Sequence, residues 1–293
     1  MSVASMILLG GCGANQVEKN NNQPNINSTV KAPEIITVSA DERTLQTNLK
    51  EFPRLEASNQ SGPVRGIVLT HHELASSLIA NLLSRLAKQE KVDTFIIIGP
   101  NHPNIGKAWA ITTAAEWQTP LGTVKSDQQI ISDLEKQGSA AGDIEHLRNE
   151  HAIYTELPYI KYYFPDAKVV PLALTTFYDL RDADNLAAAI RGEMAGKNIV
   201  VLASLDFSHY LSRDQAQANE AVDLQYIKDR DYGSLYKLGN GYIDSPATMI
   251  TFLKLMDSLG AKNMTVLDHK NSLDFSPDSP QSTTGYYSLL FSQ

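Results

Sequence analysis

The sequence predicts an α/β fold: a layered sandwich in which a largely parallel or mixed sheet is flanked by helices. Three observations point there. Short β-branched apolar runs recur beyond residue 60, amphipathic stretches of helical spacing alternate with them, and neither an internal repeat nor a second polar linker breaks the series.

Gly66-Ile67-Val68-Leu69 is the first such run, of the kind that forms a buried strand. Leu74, Leu78, Leu82 and Leu86 follow on one stripe, with Ile79 and Leu83 beside them, which predicts a helix. Thr94–Ile98 reads as the second strand and Trp109–Thr113 as a third. Asp127–Lys136 and His151–Tyr163 have helical patterns, the latter interrupted or bent near Pro158 because proline lacks an amide proton. Strands are expected at Val169–Leu174 and Ile199–Ser204, with the helix Ala183–Met194 between them. Helices follow around Arg213–Asp229 and Ala247–Leu259, and Met264–Leu267 and Tyr286–Phe291 close the sheet.

The segment ahead of this body reads differently. Met1–Gly11 is apolar and small, and Leu9-Gly10-Gly11-Cys12 resembles the lipobox of a bacterial lipoprotein, although no Lys or Arg precedes Lys19. On that reading, residues 1–12 are a signal segment and Cys12 is lipidated. The protein is then held at the cell envelope, on the outer face of the cytoplasmic membrane; without the anchor it is cytoplasmic. Residues 13–50, with Asn20-Asn21-Asn22-Gln23-Pro24, are too polar to offset their ordering entropy and read as a disordered linker. A short strand at Ile35–Val38 is the exception. Residues 51–293 then form a single domain.

Composition narrows the function. A net charge of -8 argues against a nucleic-acid backbone as partner. The single cysteine excludes a disulfide framework, a Cys-rich zinc site and an iron–sulfur cluster held by this chain alone. No stretch after the first dozen residues is apolar for long enough to span a bilayer, so contact with a membrane is expected only through the anchor.

The histidines carry the functional signal. His71 and His72 follow the first strand, His102 follows the second, His209 comes just after the strand ending at Ser204, and His269 follows the run ending at Leu267. In open α/β sheets the loops leaving parallel strands converge on one edge, so these side chains are expected in one cleft. Taken singly, each is as readily a capping or solvent-facing residue. Neutral imidazole ligates zinc, iron and copper, and two imidazoles with one carboxylate can hold a divalent metal with open positions. His71 and His102 are the ligand candidates. The standard alternatives are absent: His72-Glu73-Leu74-Ala75-Ser76 lacks the second histidine of a zinc-protease helix, and no nucleophile elbow, Walker A loop or post-strand G-x-G-x-x-G occurs.

These motifs are similar, in order, to those of the Memo family, called AmmeMemoRadiSam system protein B in prokaryotes. The resemblance rests on Gly66–His72, Gly99-Pro100-Asn101-His102, Glu150-His151-Ala152, Leu157-Pro158-Tyr159 and Asp206-Phe207-Ser208-His209. Trp117–Gly122, Tyr242–Pro246, Asp268-His269 and Thr283–Tyr286 extend it. It implies a fold like that of class III extradiol dioxygenases, with His71 and His102 matching the two metal-ligand histidines. Better-known members have a cysteine as third ligand where this chain has Asp244, so Asp244 is expected to replace it. That gives a set suited to iron first, with zinc or copper as alternatives. The competing role for Asp244 is the N-cap of the helix begun by Ser245-Pro246.

His209 matches a cleft histidine, with Asp206 placed to fix its tautomer. His151 and Glu150 are read either as acid–base groups or as a helix start. His72, Asn101 and His269 are expected to support the ligands rather than bind metal. The implied activity is that of a non-haem iron, dioxygenase-like redox enzyme acting on a small molecule, with a functional link to the other AmmeMemoRadiSam proteins. Two alternatives stand beside it: a binding or redox-sensing module that kept the cleft, and a zinc-dependent hydrolase.

Overall fold

A period of two along the central strands writes both faces of the sheet at once. In β3 (Thr94–Pro100), Ile96 and Ile98 enter the core on one face while Phe95 and Ile97 enter the core on the other. Such strands are apolar throughout because helices must cover both sides of a parallel sheet. The computed structural model describes residues 1–3, 32–53, 63–176, 178–277 and 281–293. Cys12 and its lipobox-like run lie outside them. The α/β body is the unit Pro33–Gln293.

The remaining strands are β1 (Ile35–Thr37), β2 (Val64–Leu69), β4 (Ala110–Thr112), β5 (Glu116–Thr119), β6 (Gly122–Ser126), β7 (Ala141–Gly142), β8 (Lys168–Leu174), β9 (Ile199–Ser204), β10 (His209–Leu211), β11 (Asn263–Asn271) and β12 (Thr283–Ser292). Their order across the sheet is β1-β5-β6-β8-β3-β9-β2-β12-β10, with β11 on β12 and β4 on β8. The strands from β6 to β2 are mutually parallel, whereas β12 runs antiparallel to β2.

The helices are α1 (Glu42–Glu51), α2 (Ser76–Gln89), α3 (Gln128–Lys136), α4 (Ile144–Leu147), α5 (His151–Tyr154), α6 (Leu157–Tyr163), α7 (Leu180–Glu193), α8 (Arg213–Asp229), α9 (Tyr232–Leu235) and α10 (Pro246–Ser258). One core joins α3, α7 and α10 to the sheet, and the other joins α1, α2 and α6 to its opposite face. The mixed, helix-flanked sheet expected from the alternation is thus present.

Two expectations are corrected. The expected short strand is present as β1, paired with β5, but the polar linker does not reach residue 50, because α1 buries Leu45 and Leu49. Two leucines one turn apart in a polar decamer are too faint a stripe to read, and the Asp41 cap that accepts from Thr44 N supplies the start. The interruption expected within His151–Tyr163 is present: the chain breaks at Thr155-Glu156 between two short helices, and Pro158 falls in the first turn of α6. β11 runs on to Asn271, so His269 lies within a strand, opposite Tyr287, instead of leaving one.

Candidate metal centre

Four strand ends deliver the site. His71 follows β2, His102 follows β3, Asp206 and His209 follow β9, and Thr284 lies in β12 beside β10. They line a cleft of about 600 Å³ with His72, Glu73, His151, Tyr154, Thr155, Tyr210, Asn240 and Asp244. A groove of about 740 Å³ at the opposite ends of the strands, lined by Lys88, Asp93, Asp127 and Lys168, gathers no comparable donors.

Ligand nitrogens of His71, His102 and His151 all lie within 4.8 Å of one another. The His71 ring stands edge-on to both others, with centroids 5.1 Å and 5.0 Å away, while His102 and His151 stack at 4.2 Å. Glu150 sets that stack. Its Oε1 accepts from His102 Nδ1 at 2.7 Å and lies 3.5 Å from His151 Nδ1, so the Nε2 edges of both rings are the ones left for a ligand. Its Oε2 accepts from the His102 backbone N–H at 2.8 Å, and Oε1 also accepts from Ala152 N, capping α5. Glu150 is 2% exposed. Burial opposes its charge, yet these bonds hold its carboxyl below the usual range. Glu150 thereby orients His102 and caps α5.

His71 is 2% exposed, with Nδ1 3.2 Å from Ser204 Oγ and Nε2 3.2 Å from Asp244 Oδ2. Burial disfavours its cation, but Asp206 and Asp244 outweigh burial and lift the imidazole to about 10. The pocket around Nε2 therefore demands positive charge. His151 is pushed down to about 4, first by burial and then by His71 and His102, which keeps a neutral lone pair available. Asp244 Oδ2 accepts from Asp206 N at 3.1 Å, while Oδ1 is buried with no partner. Two atoms bound to one ion at about 2.1 Å lie about 3.0–3.4 Å apart, which matches the 3.2 Å between His71 Nε2 and Asp244 Oδ2. Three imidazoles, an orphaned carboxylate oxygen and a demand for charge fit a divalent metal.

The other sequence candidates fall around this core. Ser245, not Asp244, caps α10, since its hydroxyl accepts from Thr248 N. His209 donates from Nδ1 to the Phe207 carbonyl at 2.7 Å, leaving an Nε2 lone pair; the expected tautomer-fixing role of Asp206 is corrected, because its Oδ2 is 3.9 Å from His209 Nε2. Instead Asp206 accepts the Thr70 hydroxyl proton. His72 meets the Tyr286 hydroxyl at 2.7 Å, and burial lowers its pKa. Asn101 donates to Ile105 O and shapes the turn carrying His102. His269 is not among the cleft residues: it stacks on Tyr287 and contacts Glu220 Oε2 at 2.5 Å. The place of His151 beside the two ligand candidates was open in the sequence, where Glu150-His151 was equally a helix start. Glu156 gave no signal at all; it is fully buried and burial pushes it up to about 8.

Residues 37–290 match the family described as Memo-like protein. A MEMO1 family protein of Pyrobaculum aerophilum is 30% identical over 81% of this chain and 86% of its own length. Counterparts in Methanopyrus kandleri and Methanobrevibacter smithii are each 31% identical, over 77% and 82% of this chain and 82% and 88% of theirs. An uncharacterized protein of Escherichia coli K12 superposes with a TM-score of 0.49 at 12% identity, covering 77% of this chain and 99% of its own.

Proposed function

This chain belongs to the Memo-like protein family, and on that premise we propose that it is a non-haem iron, dioxygenase-like redox enzyme acting on a small molecule in the His71–His102–His151 cleft. The observation that carries the reading is the convergence of three imidazole donors within 4.8 Å at strand ends, beside the unpartnered Asp244. His71, His102 and His151 would hold the ion, with Asp244 as the carboxylate member. A bound iron supplies Lewis acidity and the electron chemistry that dioxygen requires.

The chain's own residues do the rest. His209, with Nδ1 tied to the Phe207 carbonyl, offers Nε2 as the group that takes a substrate proton. Asp206, 3.9 Å away, favours the imidazolium so formed. His72, held by Tyr286, lines the cleft and would serve as a hydrogen-bonding group for a substrate oxygen. Cys12 is proposed as the lipid anchor, which would separate this protein from cytoplasmic AmmeMemoRadiSam partners; identical aqueous partitioning of wild type and Cys12→Ser in detergent would refute it.

The third histidine also favours a second reading, a zinc centre that activates water for hydrolysis, because three imidazoles with an open position are a zinc donor set. Metal analysis of protein purified without added metal, followed by oxygen uptake with catechol, separates the two. Stoichiometric iron that is lost in His102→Ala, with oxygen uptake, supports the first. Zinc with ester hydrolysis and no uptake supports the second.

A further inference from the structure

A regular strand sends neighbouring side chains to opposite faces, yet His209 and Tyr210, adjacent in β10, both line the cleft. Two local departures bring this about. In the pairing of β10 with β12, His209 stands opposite Thr284 and Leu211 opposite Thr283, so Tyr210 is the extra residue of a bulge. Its φ of 61° lies in the left-handed region, which glycine or asparagine adopts with far less strain than a bulky side chain. Bulges re-aim side chains, and strain of this kind gathers at ligand clamps. Folding draws little from the ring so placed. Tyr210 is 73% exposed, more than any other Phe, Tyr or Trp among the described residues. Its ring meets that of His209 at 5.5 Å, tilted by 49°.

We propose that Tyr210 is a specificity-determining residue of the cleft: a platform on which a planar ring of the substrate stacks, the ring bearing no carboxylate or phosphate. An exposed aromatic face gives up its water only when a ligand covers it, and a flat ring covers it best, in an offset stack. Tyr154 lines the same cleft from α5, so both of these walls present an aromatic side chain. Charge supplies the second condition. Among the residues lining the cleft none is lysine or arginine, whereas Glu73, Asp206 and Asp244 are acidic. A cation held by the three histidines offsets Asp244, but the lining then holds no basic side chain to receive an anionic substituent, and the remaining acids repel one. A tyrosine at a backbone position suited to glycine or asparagine is thereby accounted for by the ligand rather than by the fold.

The inference names the substrate class of the site proposed above and rests on that reading, and the test separates the two. Full-length protein loaded anaerobically with Fe(II) is titrated in a calorimeter with three probes: 4-ethylcatechol, dihydrocaffeate, and acetohydroxamate, a chelator without a ring. Tyr210→Asn should weaken 4-ethylcatechol by about 3–10-fold and leave acetohydroxamate unchanged. Tyr210→Phe, which keeps the ring, should bind both as wild type does. Wild type should bind 4-ethylcatechol more tightly than dihydrocaffeate, whose carboxylate is insulated from the ring by its methylene groups. The urea midpoint of Tyr210→Asn should match or exceed that of wild type, because the left-handed strain is relieved. Undiminished 4-ethylcatechol binding in Tyr210→Asn, equal weakening of acetohydroxamate, or a lower urea midpoint overturns the platform. Tighter binding of dihydrocaffeate, or no 4-ethylcatechol binding by Fe(II)-loaded wild type, overturns the substrate class. Wild type that takes up no Fe(II) overturns instead the metal site itself.

Discussion

Replacing Glu150 by alanine removes, in one step, the carboxylate that joins the β3 exit loop to the start of α5. Three bonds are lost: His102 N–H at 2.8 Å, Ala152 N–H at 3.0 Å and His102 Nδ1 at 2.7 Å. The capping bond to Ala152 is worth about 1 kcal/mol. Each of the others is charge-assisted and worth about 1.5–3 kcal/mol, less what the partly exposed ring regains from water. A loss of about 3–5 kcal/mol is therefore expected, and roughly half of that for Glu150→Gln, which keeps one acceptor oxygen. Urea unfolding reads it as a lower midpoint at unchanged slope. Metal affinity should fall in parallel by about 10–100-fold, since both His102 and His151 lose their orienting partner. A Glu150→Ala protein within about 0.5 kcal/mol of wild type would refute the reasoning, because the two loops would then be held together by something else.

Other consequences are as direct. A Cβ at Gly99 would lie 2.9 Å from Ala152 O and 3.0 Å from Ala152 Cβ, so Gly99→Ala should push α5 and His151 outward, costing about 1–3 kcal/mol and weakening metal binding in the same titration. Asp223 is buried beside Glu220, and its carboxyl is raised from 3.8 to about 8. The folded state therefore holds a proton that the unfolded chain has released, and stability falls as pH rises from about 4 to about 8. Asp223→Asn, which cannot ionise, should match wild type near pH 4 and exceed it increasingly toward pH 8 in urea titrations; parallel curves would contradict the assignment. Metal at about 100 times its dissociation constant stabilises by about 2.7 kcal/mol, so chelation should lower the melting temperature by roughly 5–10 °C, reversibly in wild type and not at all in His102→Ala.

Much of the architecture was legible because strand and helix periods are strong in this chain. The β-branched apolar runs around Val68 and Ile96 mark fully buried strands, and the stripe from Leu78 to Leu86 marks α2. The strand exits at His71, His102 and Asp206 followed from that reading, since parallel strands send their loops to one edge. The failures have physical causes. Leu45 and Leu49 are the only apolar side chains α1 has to bury, and its start depends on the Asp41 cap rather than on hydrophobic pattern. His269 lies in a strand whose second half, Asp268–Asn271, is polar and so looked like a loop. His151 as a neighbour of His71 and His102 depends on the turn at Thr155-Glu156 and on the bare Gly99 that lets α5 approach β3, neither of which local sequence reveals.

Metal stoichiometry across single alanine substitutions is the most direct test of whether His71, His102 and His151 hold one ion. Wild type purified without added metal, and again after anaerobic loading with Fe(II), should carry one equivalent, with loss of bound metal in each of the three variants while circular dichroism stays native. Folded wild type that takes up no metal under either condition, or variants that all keep a full equivalent, would contradict it.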